Sequence, residues 1–173
     1  WLDFEWDRTI EDSYRKQETL KLEAVGEHTV LWDLLDTGNE GSLAFSGRMF
    51  RSKMCFVIVF SLTSRSTFES ALQHLESMDL TFDGAPVGRL LVGTKLDAEE
   101  QREVTNSEAQ LFATQHGLEY VEVSAKEQLN LDKLKQKLLY AGAGASQLRR
   151  EQFEEFQARH RRRQQRRNIC MIQ

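Results

Sequence analysis

A chain of 173 residues, 40% hydrophobic and 29% charged, has the size and composition of one globular domain with a core of its own. The net charge of −4 is unevenly spread: residues 146–173 hold eight Arg and three Glu, a net +5, which leaves −9 on the other 145 residues and restricts an anionic partner to the tail. Two cysteines, Cys55 and Cys170, exclude a disulfide framework, and no apolar run reaches the length of a membrane-spanning helix.

Residues 1–12 show no period and read as a loop. Residues 13–36 predict a β-hairpin. Leu20, Leu22 and Ala24 alternate with Thr19, Lys21 and Glu23, Gly26-Glu27 marks the turn, and 30–35 is the return strand. Residues 36–47, rich in Gly, Ser, Asn and Thr, read as a loop and 48–54 as a short helix. Residues 55–62 read as a strand buried on both faces, with Cys55 as a small core residue. Ser66 and Glu69 form a capping box for a helix whose apolar stripe is Phe68, Leu72 and Leu75. A loop over 80–88 holds Pro86, and a strand follows at 90–93. Thr105 and Glu108 cap the next helix, Gly117 closes it, and 118–123 is another strand. Asn130 opens a helix with Leu131, Leu134, Leu138 and Leu139 on one side. Ala141-Gly-Ala-Gly-Ala145 predicts a break, and 147–165 a charged helix or a disordered segment. A hairpin followed by alternating strands and helices predicts an α/β fold, mostly parallel, with one antiparallel edge strand and flanking helices.

The strand at 90–93 releases Thr94, Lys95 and Asp97 at its carboxyl end, where open α/β sheets bind ligands. The next strand releases Ser124-Ala125-Lys126 in the same way. Further upstream stand Asp7-Arg-Thr-Ile-Glu-Asp-Ser-Tyr-Arg-Lys-Gln17 and Leu34-Leu-Asp-Thr-Gly38. With Thr94-Lys-Leu-Asp97 and Glu122-Val-Ser-Ala-Lys126, these four motifs resemble those of the Ras-type small GTPases, in that family's order and rough spacing. The resemblance runs from Trp6 to about Tyr140.

It implies a P-loop NTPase-like α/β domain over residues 1–140 and a basic tail over 141–173. It also implies GTP or GDP and Mg²⁺ as cofactors, with GTP hydrolysis as the activity. By the resemblance, Thr94, Lys95, Asp97, Ser124, Ala125 and Lys126 read the base. Guanine presents N1–H and an amino group side by side, and one carboxylate, Asp97, can accept both, whereas adenine N1 would repel it. Lys95 can lay its aliphatic stem across the base, and the Ala125 N–H can reach the guanine O6. Thr9 and Asp36 match Mg²⁺ ligands, and Gly38 matches the glycine whose N–H meets the γ-phosphate. Ile10, Glu11, Asp12, Ser13 and Tyr14 match the effector-reading stretch. The implied partners are guanine nucleotide, effector, exchange-factor and GTPase-activating proteins, and a membrane. Nucleic acid is not among them, because no aromatic residues interleave the arginines.

Four departures qualify the resemblance. Aligned on Gly38, Asn39 stands where the water-orienting Gln belongs and is a methylene shorter; one register on, the acidic Glu40 stands there, and either way slow hydrolysis is expected. Arg8 replaces the usual Pro, and the hairpin is longer than the family's. The phosphate loop Gly-x-x-x-x-Gly-Lys-[Ser/Thr] does not occur. Gly88-Arg-Leu-Leu-Val-Gly93-Thr94-Lys95 only imitates it, with Lys and Thr in the wrong order and a strand between the glycines. The family's first strand and helix are therefore expected to be missing, and the chain to be part of a longer one. A nucleotide-free module presenting an effector surface is the alternative. The chain ends Cys170-Met-Ile-Gln173, a C-a-a-X box whose Gln favours farnesyl on Cys170. One prenyl chain anchors only marginally, and Arg159, Arg161, Arg162, Arg163, Arg166 and Arg167 supply the second signal against anionic lipid. The expected location is the cytoplasmic face of the plasma membrane.

Overall fold

The computed structural model describes residues 12–22, 26–37, 54–82, 87–148 and 151. The chain divides into two compact units, residues 1–46 and 47–173.

The first unit contains the hairpin of β1 (Asp12–Leu22) and β2 (Gly26–Asp36). The strands pair antiparallel in one unbroken register from Asp12↔Asp36 to Leu22↔Gly26. Arg15 faces Asp33 across the ladder at 3.7 Å, and the Trp32 indole N–H donates to Glu18 at 2.9 Å. The return strand starts at Gly26 itself, with φ +84°, rather than at residue 30.

The second unit is a parallel sheet in the order β3 (Cys55–Ser61), β4 (Gly88–Thr94), β5 (Glu119–Glu122). Among the described residues the strands thus form two sheets, one antiparallel and one parallel, and the α/β class stands. Helices α1 (Arg65–Phe82), α2 (Asn106–Gln115) and α3 (131–148) connect and flank the parallel sheet. The stretch from Gly88 to Thr94 is β4, a strand and no phosphate cradle.

Each face of the parallel sheet is covered by different helices. On one face Phe60 of β3 meets Phe68 of α1 at 4.9 Å between ring centroids, and Phe68 meets Phe112 of α2 edge-on at 5.4 Å. On the other face Leu90, Val92, Val121 and Val123 form a cluster under Leu131, Leu134 and Leu138 of α3. β4 is buried on both faces, with Leu90 and Leu91 fully inaccessible. β3 is not, contrary to the sequence reading, because Val57 and Val59 are 41% and 56% exposed. Register places them beside Leu90 and Val92, but β3 lies at the end of the strand order, past the strip that α3 covers.

Three local expectations also change. α1 begins at Arg65, so Ser66 lies in its first turn instead of capping it, and the helix runs on to Phe82. α3 does open after Asn130, whose carbonyl accepts the Leu134 N–H at 3.0 Å, but Asn130 adopts φ +59° and its side-chain amide donates to the Glu122 carbonyl at 2.8 Å instead of capping the helix. α3 continues without a break through 141–145. Ala141 packs closely on the start of β4, since a Cβ on Gly88 would lie 2.7 Å from the Ala141 carbonyl carbon and oxygen. The Thr105 cap is present, its hydroxyl accepting from the Glu108 N–H at 3.3 Å, and Gly117 leaves α2 with φ +64°. Of the predicted helix at 48–54, residues 48–53 lie outside the described residues, as do 149–150 and 152–165 of the segment 147–165.

Gly88→Ala is expected to lower stability by about 1–3 kcal/mol, because backbone rather than a movable side chain opposes the new methyl. Gly144→Ala, in open space on α3, is expected to raise it by about 0.5–1 kcal/mol. Chemical unfolding midpoints of the two variants check both signs.

Candidate functional site

The site is made by the ends of β4 and β5. The two strands pair from Leu90↔Glu119 to Gly93↔Glu122, so their carboxyl ends emerge side by side. Gly93 suits this edge, because a Cβ would lie 2.8 Å from Leu62 Cδ2 and 3.1 Å from the Tyr120 hydroxyl and the Leu62 side chain would have to shift. Past it, Thr94 turns its hydroxyl to the Phe60 carbonyl at 2.9 Å, and Leu62 N–H donates to the Thr94 carbonyl at 3.0 Å. Thr94 therefore ties the end of β4 to β3. Lys95 takes a left-handed backbone (φ +65°), a conformation that costs a non-glycine residue strain and clusters at ligand sites. Leu96 N–H then donates to the Val123 carbonyl at 3.1 Å, which brings Asp97 over the end of β5.

Ser124 meets it there. This residue is fully buried, and its hydroxyl donates to Asp97 Oδ1 at 2.5 Å while accepting the Glu127 N–H at 3.0 Å. The Lys126 ammonium lies 4.0 Å from the other carboxylate oxygen, on a side chain 78% exposed. The Ser124 hydroxyl, aided by Lys126 and Lys95, holds the Asp97 carboxyl below the ordinary carboxylate range. Asp97 is thus a fixed, ionised acceptor at the mouth of the two loops. The Ala125 N–H makes no hydrogen bond to a described residue, so a backbone donor stands beside that acceptor. An edge with two adjacent donors and a nearby carbonyl, as guanine has, matches this pair.

The sequence model of the Ras family matches residues 3–141. The chain belongs to the Ras family. Ras-like protein rasB of Dictyostelium discoideum is 39% identical over 129 residues, 74% of this chain and 63% of rasB. Ras-like protein rasX of the same organism is 35% identical over 130 residues, 75% of this chain and 59% of rasX. Ras-like protein rasV is also 35% identical over 130 residues, which cover 55% of its length. The chain therefore spans less than two thirds of the Ras-family relatives it matches.

Of the residues singled out in this Ras-family sequence, Thr94, Lys95, Asp97, Ser124, Ala125 and Lys126 converge at one edge. Asp36 closes β2 and Ser13 and Tyr14 lie near the start of β1, all three exposed, in the other unit. Thr9, Ile10, Glu11, Gly38, Asn39 and Cys170, and the Asp12 side chain, lie outside the described residues. The sequence reading missed a buried cluster behind the site. Arg102 donates two parallel hydrogen bonds to Glu122, at 3.1 and 3.0 Å. The Tyr120 hydroxyl and the Asn106 side-chain amide donate to the same carboxylate at 2.8 and 3.0 Å. Burial raises the Glu122 carboxyl, but Arg102, Tyr120 and Asn106 outweigh it and hold the group ionised. A signal was available, since an acid at the end of an apolar strand needs a partner once buried.

Ser124→Ala is expected to bring the Asp97 titration back up toward about 3.9, the free-aspartate value. In the parent the folded-state pKa is depressed, so this contribution to stability is complete above the unfolded value and is lost as pH falls through the folded one. The variant is expected to lose that acid-side slope, measured by carbon-detected NMR titration beside unfolding at several pH values.

Proposed function

We propose that this chain carries the base-reading part of a Ras-type GTP/GDP switch that hydrolyses GTP and signals at a membrane. The hydrogen bond that locks ionised Asp97 against buried Ser124 carries the reading, because it fixes the acceptor that tells guanine from adenine. Ser124 and the Asp97 turn orient the base, and Lys95 flanks it. Asp36, with Thr9, supplies the hard oxygen donors that Mg²⁺ takes, and the metal would neutralise phosphate charge when bound. The effector pairs with β1, whose sole strand partner among the described residues is β2. Exchange and GTPase-activating proteins act on the same switch. Cys170 takes a farnesyl group, and the arginine-rich tail holds the protein to anionic lipid.

Nucleotide affinity is expected to be weak, because the 173 residues include no phosphate loop. The ranking among nucleotides is the informative quantity. In amide NMR titrations GDP is expected to bind better than IDP, which lacks the amino group, and IDP better than ADP. Asp97→Asn is expected to cost about tenfold in GDP affinity, in line with roughly 1–3 kcal/mol for losing a hydrogen-bond partner. Equal affinity for GDP and ADP would overturn the guanine assignment and favour the nucleotide-free module.

The anchor is tested with purified farnesyltransferase and vesicles. The parent is expected to be modified and to sediment with vesicles in proportion to their anionic lipid, and Cys170→Ser to remain unmodified and unbound. Equal sedimentation of the two would rule out the anchor.

A further inference from the structure

The Glu122 carboxylate sits at the centre of a hydrogen-bonded cluster. It accepts four hydrogen bonds, two from the Arg102 fork and one each from Tyr120 and Asn106. Arg102 and Glu122 side chains are 14% and 10% exposed. Arg102 also reaches the Val104 carbonyl at 3.2 Å and Glu99 at 2.7 Å. Two residues past Glu122 stands Ser124, and five before Arg102 stands Asp97.

The segment after Asp97 has few other restraints of the right kind. It runs through single-turn hydrogen bonds, Ala98 to Lys95, Gln101 to Ala98 and Arg102 to Glu99, which fix its local shape only. Longer ties hold its far end, one of them the Arg65 N–H donating to the Glu103 carboxylate at 2.6 Å. Glu103 and Val104 N–H groups donate to the Leu62 carbonyl at 2.8 and 3.2 Å, which relates it to the end of β3. Arg102 is a side-chain tie to β5, the strand that delivers Ser124, and adds to the Leu96–Val123 backbone bond just before Asp97. The second base-reading turn is held by Glu122 as well, through the Asn130 amide donating to the Glu122 backbone carbonyl. Glu122 is therefore one point at which both turns are fastened, the first by its side chain and the second by its main chain, beside the Leu96–Val123 bond and the paired Ser124–Leu129 backbone bonds.

We infer that Arg102 and Glu122 are positioning residues for the guanine-reading turns, setting the separation at which Ser124 reaches Asp97. The nucleotide arm of this inference rests on the proposed base-reading function, whereas the geometry arm does not. Arg is required because its planar fork fixes direction as well as distance, which a Lys ammonium does not.

The test compares Arg102→Lys, which leaves a cation beside Glu122, with the double variant Arg102→Met/Glu122→Gln, which removes both charges and so avoids a buried unpaired carboxylate. Arg65→Met, which breaks the Arg65–Glu108 pair elsewhere in the unit, is the control. Without nucleotide, the Asp97 carboxyl is followed by carbon-detected NMR as pH is lowered. In Arg102→Lys and in the double variant its titration is expected to move up toward the free-aspartate value, and in Arg65→Met to stay as in the parent. With nucleotide, the preference for GDP over IDP is expected to fall about tenfold in the double variant, the scale of loss when a binding group is displaced by a fraction of an ångström. An Asp97 titration unchanged in a folded double variant would overturn the inference and leave the pair as a stability element. A parent that fails to prefer GDP, with the titration shift present, would overturn the base-reading function and leave the positioning role standing.

Discussion

Everything at the candidate site depends on two parallel strands ending at the same edge. Parallel pairing carries β4 and β5 in the same direction, so two loops that are some thirty residues apart in sequence open next to each other. A side-chain hydroxyl from one then reaches a carboxylate from the other. The arrangement requires β4 to be the central strand, buried on both faces, and its last positions to be tightly constrained. Gly93 admits the side chains of Leu62 and Tyr120, and Thr94 fastens the strand end to β3. A bulkier residue at either step would move the turn that carries Asp97.

The chemistry of the site is set by which polar groups are buried and which are not. Ser124 is inaccessible, yet both its donor and acceptor capacity are used, so its burial carries no unmet hydrogen bond. Glu122 is nearly buried and fully satisfied by four donors. Asp97 and Lys126 face outward. The polar interior therefore serves as a rigid backing for an exposed acceptor, which is the order of rigidity a recognition site needs. Among the described residues no buried side-chain polar atom is without a partner.

The two units obey different rules. The hairpin is held by its backbone ladder and by cross-strand pairs such as Arg15 with Asp33, and most of its side chains meet solvent. The α/β unit is held by its core, with aromatic contacts on one face and aliphatic ones on the other. Charges that count for little on the exposed hairpin become directional when buried, as the contrast between Arg15 and Arg102 shows.

Local sequence determined the elements and the chemical types at the site. The alternation over 19–24, the apolar runs at β4 and β5, the Thr105 cap and the motifs at Thr94–Asp97 and Ser124–Lys126 depend on near neighbours, so they were legible from one dimension. Tertiary structure alone decided what depends on contacts between distant residues. It left Val57 and Val59 exposed, because the covering helix does not extend over β3. It kept α3 helical through 141–145, because Gly88 lets the helix approach β4. It joined Arg102 to Glu122 and Ser124 to Asp97 across twenty and twenty-seven residues of chain. Periodicity carries no record of such pairs; only the parallel crossover brings them within hydrogen-bond reach.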